Sequence, residues 1–156
     1  MKVVYYPGKN LPKPIDKAVV TIGVFDGLHK GHLVLLKTLL NITHRIKGKS
    51  VVITFWPHPQ REKLIYPLSY RLRLLEKLGI DICVVIRFNK SLANILPEEF
   101  IKDVLLRIAV PSWIVVGENF NFGKCAQGDI FLLEKFSMKY GFQLKVISPL
   151  RIKNRV

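Results

Sequence analysis

Two histidines and three glycines stand close together in GVFDGLHKGH, residues 23–32. β-branched and apolar residues precede this segment, and a leucine-rich run follows it. Glycines permit tight turns and a close approach of the backbone to a ligand. The first N–H groups of a helix bind anions, and His29 and His32 would add ring N–H donors. The segment therefore predicts a phosphate-binding loop between a strand and a helix, with free backbone N–H groups at the start of that helix.

Other phosphate and metal sites fit this segment less well. The lysine pattern of a P-loop and the G-x-G-x-x-G dinucleotide fingerprint are both missing from it. No further ligand cluster accompanies His29 and His32, so we predict no zinc and no metal ion held by protein side chains alone. For either histidine taken singly, a structural role at the helix start is the alternative interpretation.

Strands and helices alternate along the rest of the chain. Nearly continuous apolar runs predict buried strands at 18–25, 51–55, 81–88, 112–117 and 142–147. Helical spacing and capping residues predict helices at about 31–47, 68–78, 97–108 and 130–140. The alternation indicates an α/β fold with an open five-stranded parallel sheet and helices on both faces.

Three loops follow predicted strands and carry unusual residues, namely 26–31, 56–67 and 117–128. Open parallel sheets bind ligands at the carboxyl ends of their strands, near the point where the strand order reverses. We therefore expect these three loops to lie at one edge of the sheet and to form one site.

Composition limits the classes of partner. The 156 residues carry 25 Lys and Arg against 11 Asp and Glu, a net charge of +14. A basic balance favours phosphate-rich partners, but the basic residues, Arg71 and Arg73 among them, are scattered, and we interpret most as solvated surface. A basic RNA-binding module is an alternative, although we expect no specific nucleic acid partner.

Compartment can also be predicted from the sequence. No apolar run approaches the roughly 18 residues of a membrane span, and the N-terminus does not have the pattern of a signal peptide. Two isolated cysteines, Cys83 and Cys125, do not make a disulfide framework. We expect a cytoplasmic protein without a membrane partner.

The motif at residues 23–32 resembles the G-x-F-D-G-x-H-x-G-H motif of the FAD synthetases, the FMN adenylyltransferase module of bacterial bifunctional riboflavin kinase/FAD synthetases. Its fixed positions are all filled, by Gly23, Phe25, Asp26, Gly27, His29, Gly31 and His32. TFWPHP at 54–59 and VVGENFNFGKCAQGD at 115–129 resemble two further family segments in order and spacing. The resemblance covers residues 18–147 and implies a Rossmann-like nucleotidyltransferase of the HxGH superfamily.

The resemblance implies transfer of AMP from ATP to FMN, which yields FAD and pyrophosphate. His29 and His32 are the implied catalytic residues, and Mg²⁺ would accompany ATP. The implied ATP-binding residues are Gly23, Phe25, Asp26, Gly27 and Gly31. The implied flavin-binding residues are Trp56, Pro57, His58, Pro59, Asn119, Phe120, Asn121 and Phe122. We expect Asp26 to fix the loop more than to contact the metal, and one of the two phenylalanines to anchor its loop in the core.

Two departures from the family pattern affect the expected activity. Asn121 stands where many members carry an arginine, and the family's Ser/Thr-rich segment with an arginine is not found before Val156. We interpret residues 1–156 as a single adenylyltransferase domain with reduced activity, whose full-length form adds a C-terminal riboflavin kinase domain. Another HxGH-type nucleotidyltransferase and a non-catalytic, truncated flavin- or nucleotide-binding domain are the alternatives.

Overall fold

One six-stranded sheet forms the centre of the computed structural model, which describes residues 1–8, 13–26, 29–57 and 67–148. The strands are β1 (Lys2–Tyr6), β2 (Ile15–Ile22), β3 (Lys49–Trp56), β4 (Ile82–Arg87), β5 (Ala109–Gly117) and β6 (Gln143–Ile147). Their order in the sheet is β1-β4-β3-β2-β5-β6, and all neighbours pair in parallel. The predicted open parallel sheet is confirmed, with six strands rather than five.

The additional strand is β1, at one edge of the sheet. It pairs only with β4 among the described strands, with Val3 opposite Cys83. Its five residues are half-buried or exposed, and Pro7 follows directly. β1 is not predicted from the sequence, because a short, partly solvated edge strand lacks the continuous apolar run of a central one.

Helices cover both faces of the sheet, as predicted. They are α1 (Lys30–Ile46), α2 (Leu68–Leu78), α3 (Lys90–Ala93), α4 (Pro97–Glu99), α5 (Leu106–Ile108) and α6 (Ile130–Tyr140), with a π-helical stretch (Phe100–Leu105) between α4 and α5. Leu39 of α1 and Leu75 of α2 pack against one face. Leu105 of the π-helical stretch and Leu133 of α6 pack against the other. None of the helices in the described ranges is long and apolar enough to cross a membrane.

Local signals fix the ends of α2 and α6 where the sequence predicts them. The Asp129 carboxylate accepts a hydrogen bond from the Leu132 N–H at 2.9 Å and caps the start of α6. Gly79 and Gly141 follow α2 and α6 in the left-handed conformation, with φ of 94° and 80°.

The strand order reverses between β2 and β5. From β2 the chain moves to β3 and then β4 on one side, and it crosses back to β5 and β6 on the other. The carboxyl ends of β2 and β5 therefore lie side by side while their connections diverge, which opens a crevice between them. This crevice holds the candidate site.

Candidate nucleotide-binding site

The chain turns sharply after β2. Phe25 has a φ of 56°, in the left-handed region that a strand does not adopt, and it is only 4% exposed. The strand predicted to reach Phe25 therefore ends at Ile22. A Cβ on Gly23 would lie 3.0 Å from the Phe25 ring, so a side chain at this position would press on the ring. The turn places the ring of Phe25 beside the start of α1.

His29 caps the N-terminus of α1 with its own ring. Its Nδ1 accepts hydrogen bonds from the N–H groups of Gly31 at 3.1 Å and His32 at 3.4 Å. The expectation of free N–H groups at this helix start is therefore wrong for these two residues. An Nδ1 that accepts places the ring proton of a neutral imidazole on Nε2, so Nε2 is the donor left for a ligand.

The two histidines form a stacked pair. Their ring centroids are 3.7 Å apart, and their planes differ by 22°. The rings of His32 and Phe25 make an edge-on contact, with centroids 5.2 Å apart. A Cβ on Gly31 would lie 3.0 Å from Cε1 of His29, so a side chain there would push the ring away. The arrangement presents two imidazoles together at one helix start, where they can donate to the same anion.

A first cavity of about 370 Å³ lies between the ends of β2 and β5. It brings the histidine pair together with the loop after β5. Its lining comprises Ile22, Gly23, Phe25, His29, Gly31, His32, Leu35, Gly117, Glu118, Asn119, Phe120, Ile147 and Ser148. Three of the five predicted ATP-binding residues line this cavity, namely Gly23, Phe25 and Gly31. Asp26 does not line it, and Gly27 lies outside the described residues.

A second cavity of about 640 Å³ adjoins the first. Its lining is largely aromatic and aliphatic and comprises Ile22, Gly23, Val24, Phe55, Phe88, Leu92, Ala93, Ile95, Phe100, Asn119, Phe120, Asn121, Phe122, Gly123, Cys125 and Ala126. Gly23 and Phe120 line both cavities. Two ligands bound in the two cavities would therefore meet at the ends of β2 and β5.

The two phenylalanines of the loop after β5 differ in burial. Phe122 is 7% exposed, lies 6.1 Å from Phe100 and 6.5 Å from Phe136 between ring centroids, and exchanges backbone hydrogen bonds with Gly128. Phe120 is half-buried and stacks on Phe122 with centroids 5.5 Å apart. Phe122 is thus the core anchor that we expected of one of the pair, and Phe120 faces both cavities.

The loop after β4 is not among the loops predicted to form the site. Phe88 and the residues of α3 that line the second cavity follow this strand directly. They include no histidine, glycine or carboxylate that would suggest chemistry. The usable signal was position alone, since the carboxyl ends of all parallel strands in a sheet share one edge.

Some predicted residues lie elsewhere. Trp56 and Pro57, at the end of β3, are exposed and line neither cavity. His58 and Pro59 fall outside the described residues, as Gly27 does, and their roles stay predictions.

The buried Arg71 of α2 lies against the turn that follows β2. Burial lowers the pKa of its guanidinium, and the negative charge of Asp26 opposes that shift. This interaction favours a loop-fixing role for Asp26. The described ranges contain no group of three or more His, Cys, Asp or Glu side chains that could hold a metal ion.

Neither cysteine forms a disulfide. Cys83 is fully buried in β4, and burial raises the pKa of its thiol to about 12. Such a thiol is protonated at neutral pH and unreactive. Cys125 is exposed at the second cavity.

An open parallel sheet with its crevice at the reversal of strand order defines a Rossmann-like α/β domain. A family model described as FAD synthetase matches residues 11–156. The chain therefore belongs to the FAD synthetase family.

Curated relatives share the name bifunctional riboflavin kinase/FMN adenylyltransferase. The protein of Buchnera aphidicola subsp. Schizaphis graminum is 32% identical over 154 residues, which cover 94% of this chain and 49% of the relative. That of Escherichia coli strain K12 is 33% identical, over 84% of this chain and 44% of the relative. That of Bacillus subtilis is 31% identical, over 82% and 43%. The chain thus spans about half the length of the curated relatives it matches.

A solved structure shares the fold. The crystal structure of a protein from Streptococcus pneumoniae, described as a macrolide-efflux protein, superimposes with a TM-score of 0.82. The match covers 99% of this chain and 52% of the other, at 21% identity. At that identity the likeness shows the fold alone.

Proposed function

We propose that this domain transfers AMP from ATP to FMN. A phosphate oxygen of FMN attacks the α-phosphorus of ATP and forms the new P–O bond. The bond between that phosphorus and the oxygen bridging to the β-phosphate breaks, and pyrophosphate leaves with the electron pair. The observation that carries the proposal is the junction of the two cavities at Gly23 and Phe120, beside the histidine pair. Such a junction suits a reaction that joins two nucleotides end to end.

ATP would occupy the first cavity. The Nε2–H of His29 and the ring of His32 would donate to phosphate oxygens and stabilise the charge that develops at the reacting phosphorus. Gly23 and Gly31 leave room for the nucleotide against the backbone. The chemistry needs orientation and charge stabilisation more than a covalent protein group.

FMN would occupy the second cavity. Its planar ring system matches a lining rich in aromatic side chains, with Phe120 available for stacking. Asn119 and Asn121 would supply amide hydrogen bonds to polar groups of the ligand. The cavity of about 640 Å³ lies within the size range of small-molecule and cofactor sites.

Mg²⁺ would enter with ATP. The described side chains form no cage for it, which suits an ion held mainly by phosphate oxygens and water. We assign Asp26, at the turn after β2, to fixing the loop beside Arg71 rather than to contact with the ion. The ion would offset phosphate charge during transfer.

The proposal extends to the partner domain and to the cellular location. A riboflavin kinase unit would accompany it, as the names of the relatives suggest, and a cytoplasmic location agrees with two free cysteines.

Nucleotide specificity tests the proposal. FMN and Mg²⁺ are incubated with ATP, GTP or CTP, and the flavin dinucleotide is separated by chromatography. FAD from ATP, with little product from the other two, supports the assignment. Tighter calorimetric binding of CTP would favour a cytidylyltransferase. Binding of FMN without any product would indicate a non-catalytic domain, and salt-dependent RNA binding alone would indicate the nucleic-acid module.

A further inference from the structure

Arg71 is the largest fully buried side chain of the described residues, at 1% exposure. Most of the basic residues are predicted to be solvated surface, and for Arg71 that prediction is wrong. A buried charge costs several kcal/mol of desolvation unless its surroundings compensate. A leucine would fill the same face of α2 at no such cost, so the position calls for an explanation.

The guanidinium joins the ends of β2 and β3. Its Nη1 donates to the Val24 carbonyl at 2.8 Å, to Oγ1 of Thr54 at 2.7 Å and to the Phe55 carbonyl at 3.3 Å. The Thr54 hydroxyl in turn donates to the Val24 carbonyl at 2.8 Å. The Val24 carbonyl is thus held from two sides.

Val24 directly precedes the residue with the unfavourable backbone. A non-glycine residue in the left-handed region, such as Phe25, costs on the order of 1–3 kcal/mol and persists only where its surroundings fix it. The ring of Phe25 in turn contacts His32. The chain of contacts therefore runs from Arg71 through Val24 and Phe25 to the histidine pair.

Charge points to the same turn. Asp26 lies close enough to stabilise the cationic form of Arg71. Nε and Nη2 of Arg71 make no hydrogen bond with the residues that the structure describes. Arg71 lines neither of the two cavities, which favours a supporting role over direct contact with a ligand.

We propose that Arg71 is a positioning residue, which locks the turn at residues 24–26 and thereby sets the place of Phe25 and His32 in the site. The proposal rests on the proposed function for its kinetic effect but not for its structural effect. Arg71→Met is the main variant, because methionine keeps apolar volume and removes the cation. Arg73→Met, an exposed position on the same helix, is the matched control.

Two measurements test the proposal. Misplaced reacting groups cost up to about a hundredfold in rate, so we expect kcat for FAD formation to fall tenfold to a hundredfold in Arg71→Met. The KM values should change less than kcat. The unfolding midpoint should fall, because the substitution removes a donor from the Val24 and Phe55 carbonyls and a nearby cation from Asp26. Arg71→Lys should recover part of kcat, and Arg73→Met should match the unsubstituted chain.

The second measurement is histidine NMR. Release of the turn moves the Phe25 ring, so the His32 ring-proton shift should change in Arg71→Met, while that of His44 near the far end of α1 stays in place. A lower unfolding midpoint in Arg71→Met, with kcat and the His32 shift both unchanged, would show that Arg71 only stabilises the fold. That result would overturn the proposal. A lower kcat with an unmoved His32 signal would overturn it as well.

A second variant tests the same contact from the side of β3. If Arg71→Met does not fold, Thr54→Val decides, because it removes the hydroxyl between Arg71 and Val24 and keeps shape and charge. A smaller shift of His32 and a smaller fall in kcat are expected there, and unchanged values would overturn the proposal. If the unsubstituted chain forms no FAD, the proposed function fails, while the His32 shift still tests the role of Arg71.

Discussion

The rings of His29 and His32 stack 3.7 Å apart, and His29 also accepts a hydrogen bond from the backbone N–H of His32. One side chain thus fixes the start of α1 and the place of its neighbour. Its cap and its chemistry can be separated, because asparagine also caps helices well.

Substitution of His29 should separate these two roles. His29→Ala removes both the cap and the ring donor, so we expect it to lose about 0.5–2 kcal/mol of stability and most of the FAD-forming rate. His29→Asn should keep the stability and lose the rate. Urea unfolding and an FAD assay measure the two quantities. A full rate in His29→Asn would mean that the helix cap is all that His29 provides.

His32 should affect rate more than folding. Loss of one oriented donor to a transition state costs about a hundredfold or more in kcat, and we expect that loss in His32→Ala. His44→Ala, an exposed position in the last turn of α1, should leave the rate unchanged. A lower melting temperature with normal turnover would identify His32 as structural instead.

Substitutions of Phe120 and Phe122, the two phenylalanines after β5, should have different effects. One should mainly weaken FMN binding, and the other should mainly lower stability. Phe122→Ala opens a space in the core, and such truncations cost about 3–5 kcal/mol. Phe120→Ala should cost less stability and weaken FMN binding, because this half-buried ring faces both cavities. Urea unfolding and FMN fluorescence titration report the two effects. Equal losses of stability in both variants would contradict this division.

The contact between α4 and α6 should make stability depend on acid pH. Hydrogen bonds from Lys139 and Tyr140 lower the pKa of Glu98 below its ordinary 4.5. Its contribution is therefore complete above pH 4.5 and is lost as pH falls through the lower, folded-state pKa. Unfolding midpoints measured across this range should show a shallower acid loss in Glu98→Gln than in the control Glu99→Gln. Because the Glu98 side chain is 43% exposed, the difference should be small and should shrink in high salt.

The sequence predicts the central architecture well because central strands are buried on both faces. Continuous apolar runs such as the one in β3 admit few other interpretations. The bounds of α2 and α6 follow from residues such as Gly79 and Asp129, which act locally. β1 and the π-helical stretch depend on tertiary contacts, so no local pattern marks them.

The site is only partly predictable for a related reason. Motif residues such as His32 and Asn119 can be identified by type and spacing. Phe88 and Ile95 line the second cavity because of where β4 ends, and Arg71 supports the turn from a helix with no motif. Such roles arise from the arrangement in space, which spacing along the chain does not encode.

The pairing of β2 with β5 has a consequence for folding order. The two strands are neighbours in the sheet, but two other strands and most of the helices separate them along the chain. Contacts between distant segments close large loops and form slowly. Because the crevice exists only once β5 has docked, ligand capture should follow, and never precede, completion of the sheet. Any ligand of the crevice would then bind only the completed sheet, and it would raise the free energy of unfolding even for strands that it does not touch.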